Sequence, residues 1–315
     1  MEYSALSQGL RKARMSSLRR ISYTRTLNSE CESNDAGNLQ LMMISCEDAA
    51  PYGPSDNTAN MFLDLLEKAY RAFQYPSERT VTVSITLYEA KQRDYPASEQ
   101  EWNSYDGILL PGSFSSAYET DDWIEELKTI IQNEIHSKQR KTMAVCFGHQ
   151  VFAHSFGDSG KDNDGADSTA GSGLAVPCPA SVQVGHRHFE CSTEFISPRD
   201  GASSLHMLYT HGDMVHSLPS CATALGGTET VPIQAAVYLT EEGKPHVYSF
   251  QGHPEYACEL GIETFNNILD SMQENEKLPR QDLDCARLEA IREFKNVEED
   301  SVHVMQVVGR NFGWM

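Results

Sequence analysis

Apolar and polar positions alternate over 81–87. Val81, Val83, Ile85 and Leu87 fall on one side, and Thr82, Ser84 and Thr86 on the other. A period of two marks a half-buried strand. Leu39–Ser45, Gly107–Leu110 and Thr142–Val145 are instead short apolar runs, which suit buried strands. Between these runs the period lengthens. Met61, Leu63, Leu65, Leu66, Ala69 and Phe73 recur near helical spacing and predict a helix over 58–73. Asp121–Ser137 is amphipathic, with Asp121 and Asp122 at the end where carboxylates suit the helix dipole. Strand-like runs follow at 181–185, 205–210, 231–239 and 246–250, and Glu259–Met272 reads as a closing helix. Strands alternating with helices predict an α/β domain with a mostly parallel central sheet flanked by helices. In such sheets ligands gather at the carboxyl ends of the strands.

The two ends of the chain read differently. Residues 1–29 hold six cations (Arg11, Lys12, Arg14, Arg19, Arg20 and Arg25) against one acid, Glu2. With the polar linker that follows, residues 1–38 are expected to be a basic extension, either a disordered solvated arm or an organelle-targeting segment. Residues 273–315 form a second, helical extension. There Leu283, Leu288, Ile291 and Phe294 suggest an apolar stripe. Gly157–Gly173 is a low-complexity run of Gly, Asp, Ser and Ala, read as a loop.

Charge and cysteine usage narrow the function classes. The net charge is -20, which argues against nucleic acid as a partner, because phosphates would repel the chain. No run reaches the ~18 apolar residues of a membrane span. The eight cysteines include no CxxC pair, too sparse for a disulfide scaffold. With no signal peptide visible, a reducing, cytoplasmic setting is expected. A cysteine of consequence would then act as a reactive thiol.

Cys146 stands at the end of an apolar strand, in Ala144-Val145-Cys146-Phe147-Gly148-His149-Gln150. Small residues two before and two after it suit a nucleophile on a sharp strand-to-helix turn, where bulk would clash. The turn would lift the sulfur above the sheet, and the Phe147 N–H would point toward a developing oxyanion. A buried cysteine closing a core strand would show the same apolar run. The candidate base lies in Phe250-Gln251-Gly252-His253-Pro254-Glu255. Residues two apart in an extended segment project to one side, so Glu255 could orient His253. A solvated surface turn is the alternative.

Four motifs in order carry a family resemblance: Tyr105-Asp106-Gly107-Ile108-Leu109-Leu110-Pro111-Gly112-Ser113, the turn at Cys146, Thr210-His211-Gly212-Asp213, and Gln251-Gly252-His253-Pro254-Glu255. Together they resemble the class I glutamine amidotransferases over 39–272. Gly112-Ser113, Ser116 and Trp123-Ile124 look like the stand-alone branch that includes plant γ-glutamyl peptidases. That branch is similar to the glutaminase half of GMP synthase. The resemblance implies a flavodoxin-like α/β domain with a Cys146–His253–Glu255 triad. It also implies an oxyanion hole from the Gly112 and Phe147 amides, and glutamyl contacts from Gln150, Thr210, Gly212 and Asp213. The implied substrate is a γ-glutamyl amide such as a glutathione-like peptide, or glutamine itself. A separate synthetase partner, receiving ammonia, is the second reading, and a non-catalytic regulatory protein on this fold is the third. Two departures stand out: Ala144 where many members have Gly, and the 157–173 run, longer than its counterparts.

No cofactor is expected. Gly226-Gly227 lacks the strand–GxGxxG–helix context, and no Walker A sequence occurs. His186, His188 and Cys191 form an H-x-H-x2-C cluster. A structural zinc wants four ligands and no fourth is close in sequence, so these are read as residues of a solvated strand, with no metal site expected.

Overall fold

Five parallel strands form the centre of the sheet, in the spatial order β3-β2-β4-β5-β12. They are β2 (Ala36–Ser45), β3 (Thr80–Glu89), β4 (Gly107–Leu110), β5 (Thr142–Val145) and β12 (Pro245–Phe250). The computed structural model describes residues 22–27, 36–73, 80–157, 173–179, 182–191, 196 and 204–315. Most of the 157–173 run and residues 1–21 lie outside these. Helices α1 (Ser55–Ala72), α2 (Asp122–Ile130) and α3 (Phe147–His154) alternate with the strands. The helix predicted over 121–137 is α helical only to Ile130 and continues as a π turn, Ile131–His136.

The sheet is mixed rather than mostly parallel. β1 (Ser22–Leu27) pairs antiparallel with β3. Beyond β12, β11 (Ala235–Leu239), β10 (Ala222–Gly227), β7 (Gln183–Cys191) and β8 (Ser204–His211) follow, each antiparallel to its neighbour. Among the described residues, no helix lies between 183 and 250. A parallel pair needs a crossover, so strands joined directly must pair antiparallel. A separate ribbon joins β6 (Leu174–Pro177) to β9 (Asp213–Ser217).

Both extensions contribute to the domain. β1 lies within the expected basic arm, yet it is an edge strand. Its Arg25 reaches Asp64 and Glu67 on α1, the latter at 3.0 Å. At the other end, α4 (Glu259–Glu274) is followed by the 33-residue α5 (Arg280–Phe312). α5 packs on α1, β7 and β8. Its buried apolar side chains are Leu283, Ala286, Ala290, Val297, Val304, Met305, Val308 and Phe312, while Leu288 and Ile291 are 68% and 69% exposed. The stripe expected from the large residues is therefore corrected: only Leu283 of that set is fully buried. Ala286 lies where Gly185, at φ +91°, lets the strand approach. A Cβ on Gly185 would sit 3.2 Å from the Ala286 Cα.

Two apolar layers enclose the parallel strands. One joins α1 and the C-terminal half of α5 to Leu41, Met43, Val83 and Ile85. The other joins α2 and α3 to Met42, Ile44, Ile108 and Leu110. Neighbouring residues of one strand thus enter opposite layers, as the pleat requires. This fixes the carboxyl ends of β4, β5 and β12 side by side.

Candidate active site

Cys146 follows β5 directly and caps α3 with φ 53° and ψ -109°. Positive φ is unusual for a residue with a side chain, and strain of this kind persists only where the surroundings enforce it. Here they do. The Cys146 N–H donates to the Phe250 carbonyl at 2.8 Å, and its carbonyl accepts from the Gln150 N–H at 3.0 Å. Gly148 meets the bend from the other side. A Cβ there would lie 2.1 Å from the Leu110 carbonyl oxygen. Ala144, the departure noted above, is fully buried without disturbing the turn.

His253 and Glu255 follow β12 and are both buried. The His253 Nδ1 lies 2.7 Å from the Glu255 Oε1. They meet through a short 3₁₀ turn, Pro254–Tyr256, that starts just after His253. The extended alternation expected for them is not what joins them. Tyr256 stacks flat on the imidazole, with centroids 4.2 Å apart and planes at 5°. The His253 N–H donates to the Leu208 carbonyl of β8 at 2.9 Å, and its Nε2 is 3.2 Å from the Thr210 hydroxyl. Burial alone would lower the His253 pKa. The neighbouring Glu255 carboxylate and Cys146 sulfur outweigh it and push the value up to about 10.

The Gly112 backbone passes against both groups. A Cβ there would sit 3.2 Å from the His253 Cε1 and 3.4 Å from the Cys146 Cβ. Phe147 begins α3, so its N–H is among the first-turn amides that lack an intrahelical acceptor. Both oxyanion candidates therefore adjoin Cys146.

A cavity of about 350 Å³ opens over Cys146 and is lined by Gln150, Thr210, Gly212 and Asp213. Every site residue expected from sequence thus lies at one locus or on its wall. Gln150 Nε2 donates to the Asp213 carbonyl at 2.8 Å. The Asp213 carboxylate accepts from the Ser116 hydroxyl at 2.6 Å and the Tyr118 hydroxyl at 2.9 Å. Asp213 begins strand β9. His211 is buried, which pushes its pKa down to about 3, and its Nδ1 donates to the Asp213 carbonyl at 2.8 Å. It supports the wall as a neutral ring.

Sequence reasoning missed several contributors. Glu47 is buried after β2, and its Oε2 accepts from the Ser113 hydroxyl at 3.0 Å and the Phe114 N–H at 2.6 Å. Its Oε1 accepts from Lys91 at 2.7 Å. Burial alone would raise its pKa, but Lys91 and the Phe114 amide outweigh that and hold the carboxyl below its usual range. Glu47 thereby pins the loop that carries Gly112. Tyr52 is buried and packs edge-on against Phe114, with centroids 4.9 Å apart. From the far side, Ser271, Met272, Asn275 and Lys277 complete the cavity rim. The only local signal for Glu47 was an acid just past a strand end.

These features define a Cys–His–Glu arrangement at the carboxyl ends of an α/β sheet. The family model for "Glutamine amidotransferase class-I" matches residues 68–270, and the chain belongs to that family. "Gamma-glutamyl peptidase 5" of Arabidopsis thaliana is 27% identical over 202 residues, covering 62% of this chain and 69% of that protein. "Gamma-glutamyl peptidase 3" of the same plant is 30% identical over 185 residues, covering 58% and 68%. A "GMP synthase [glutamine-hydrolyzing]" of Porphyromonas gingivalis is 29% identical over 166 residues, 52% of this chain but 28% of that enzyme. A glutamine amidotransferase crystal structure from Thermotoga maritima superimposes with TM-score 0.60 at 17% identity, covering 86% of this chain and 98% of that one. At that identity it speaks for the fold alone. The chain is a class I amidotransferase-like hydrolytic enzyme, related to γ-glutamyl peptidases and to glutaminase subunits.

Proposed function

We propose that the chain is a stand-alone γ-glutamyl peptidase acting on glutathione-like peptides or conjugates. The observation that carries this reading is the buried His253–Glu255 pair, 2.7 Å apart, beside a strained cysteine under an open cavity. In the proposed reaction Cys146 passes its thiol proton to His253 and the sulfur attacks the γ-carbonyl carbon, and the Gly112 and Phe147 amides hold the resulting oxyanion. The C–N bond then breaks, and His253 protonates the departing amine. A γ-glutamyl thioester remains. Water attacks it after giving a proton to His253, the sulfur leaves with that proton, and glutamate is released. Glu255 orients the imidazole and stabilises its charged form.

A peptide leaving group is favoured over ammonia by the rim of the cavity. Lys277 is the only Lys or Arg among its described lining residues. It offers a partner for the carboxylate that a γ-glutamyl peptide carries and glutamine lacks beyond the scissile bond. The likeness to the glutaminase part of GMP synthase favours the second reading, a subunit that hands ammonia to a synthetase.

The test is glutamate release by the purified chain, given glutathione or glutamine separately, with a Cys146→Ala protein alongside. Turnover of glutathione, falling by on the order of 10⁴-fold or more in the variant, is the expected result. Release from glutamine alone would replace the peptidase reading with the subunit reading. Undiminished turnover by the variant would sink both.

A further inference from the structure

Folding turns Cys191 of the H-x-H-x2-C cluster away from its two histidines and brings two other residues to them. Cys191 lies an odd number of positions from His188 and so points to the opposite side of β7. Its thiol is 3.5 Å from the Ile196 carbonyl, and it packs on the apolar layer around Phe189. The two histidines share the other side. β8 runs antiparallel to β7 and places His206 directly across from His188. The His206 Nδ1 lies 2.9 Å from the His186 Nε2. The His186 and His206 rings are stacked, with centroids 5.0 Å apart and planes at 22°. α5 then brings Glu293 to the pair. One ligand atom from each of His186, His206 and Glu293 lies within 4.8 Å of the other two, and all three residues are half-buried.

We propose that His186, His206 and Glu293 bind a late first-row divalent metal ion, with zinc as the best match. Two imidazole nitrogens and one carboxylate oxygen form a donor set that suits zinc and its neighbours, while the hard ions magnesium and calcium take oxygen ligands. The two ring nitrogens already face each other across a single shared proton. A metal ion would displace that proton, and a spread of a few tenths of an ångström would give each nitrogen a bonding distance. Three protein ligands leave a fourth, tetrahedral position for water or an exogenous group. Glu293 is held in place by Arg292 at 2.9 Å and Asn296 at 3.0 Å. The backbone N–H of His206 donates to the buried Asp300 carboxylate at 2.8 Å. Carboxylates about two turns apart on α5 thus address one residue of β8.

Such an ion would tie three elements that are distant in sequence: β7, β8 and α5. β8 also carries the Leu208 carbonyl that accepts from His253 and the Thr210 hydroxyl beside its Nε2. The metal would act as a staple behind the active site, outside the chemistry itself.

Zinc binding to the full chain carrying Cys146→Ala tests this, because that background removes the active-site sulfur as a competing ligand. Calorimetric titration is expected to show one equivalent bound. Adding His186→Gln, His206→Gln or Glu293→Gln should weaken binding at least about 100-fold, since losing even an outer partner of a metal site costs ~10–100-fold. Zinc should raise the melting temperature of the Cys146→Ala parent and leave the melting of the further variants unchanged. Glu293→Gln keeps the size of a helix-surface side chain, so its result stands even if a histidine variant folds poorly. Cobalt in place of zinc should give a spectrum without a thiolate charge-transfer band. Absence of stoichiometric binding, equal binding by all variants, or a thiolate band would each overturn the site.

Discussion

In the parallel half of the sheet, β4 and β5 each run straight into a site residue. Gly112 lies two positions past Leu110, and Cys146 comes directly after Val145. In the antiparallel half, the residues that line the cavity come from the end of β8, Gly212 and the start of β9, and others come from the last turn of α4 and just after it. The first half builds its site from local geometry, because a buried strand can only deliver what stands at its end. The second half builds a wall from elements that meet only after the sheet has curled, with Leu208 of β8 bridging to His253. The division suggests that the parallel half governs turnover and the antiparallel half governs substrate affinity.

After loss of the Cys146 sulfur itself, the largest effect is expected from Glu255→Gln, which strikes the triad. Turnover should fall by roughly 10²–10⁴-fold with little change in KM, as when the orienting carboxylate of a triad is neutralised. The same variant carries a pH signature. The folded-state pKa of His253, about 10, lies above the unfolded value of roughly 6.5. Its contribution to stability is therefore full below about pH 6.5 and is lost as pH rises through about 10. Wild-type stability, followed by urea denaturation, should decline across that window, and the decline should flatten in Glu255→Gln. An unchanged slope would mean that Glu255 does not hold the imidazolium.

Asp213→Asn addresses the other half. It weakens acceptance from Ser116 and Tyr118, which tie the wall to the loop after β4. KM for the γ-glutamyl substrate should rise about tenfold, equivalent to about 1.4 kcal/mol, with kcat within about threefold. An equal fall in kcat and kcat/KM would place Asp213 in the transition state and dissolve the division between the halves.

What could be read from the chain follows the same division. The turn at Cys146 was legible because its constraints are local: a strand, small flanking residues and a helix. Glu47 was not, because its role depends on a loop 66 residues away. The antiparallel pairing was hidden because apolar runs show that strands exist and say nothing of their direction. The metal-ligating candidates were sought within one strand, while His206 and Glu293 arrive from elsewhere. In α5 the large residues misled. Where a helix lies close against a strand, the contact selects Ala and Gly, so the buried stripe runs through Ala286, beside Gly185, and Ala290.

That last point yields the smallest expected effect and its control. Leu288→Glu with Ile291→Glu replaces two side chains that are already more than two-thirds exposed. Exposed substitutions away from special features change stability by no more than about 0.5 kcal/mol each. In calorimetry the melting temperature should therefore move by only ~1–3 °C, with activity unchanged. Gly185→Ala adds a single methyl, yet it places a Cβ 3.2 Å from Ala286 and demands φ +91° of a residue with a side chain. It should cost more than the two glutamates together, roughly 1–3 kcal/mol. If the two glutamates proved the more damaging change, the large residues would be packing after all, and α5 would lie on the sheet by a different face.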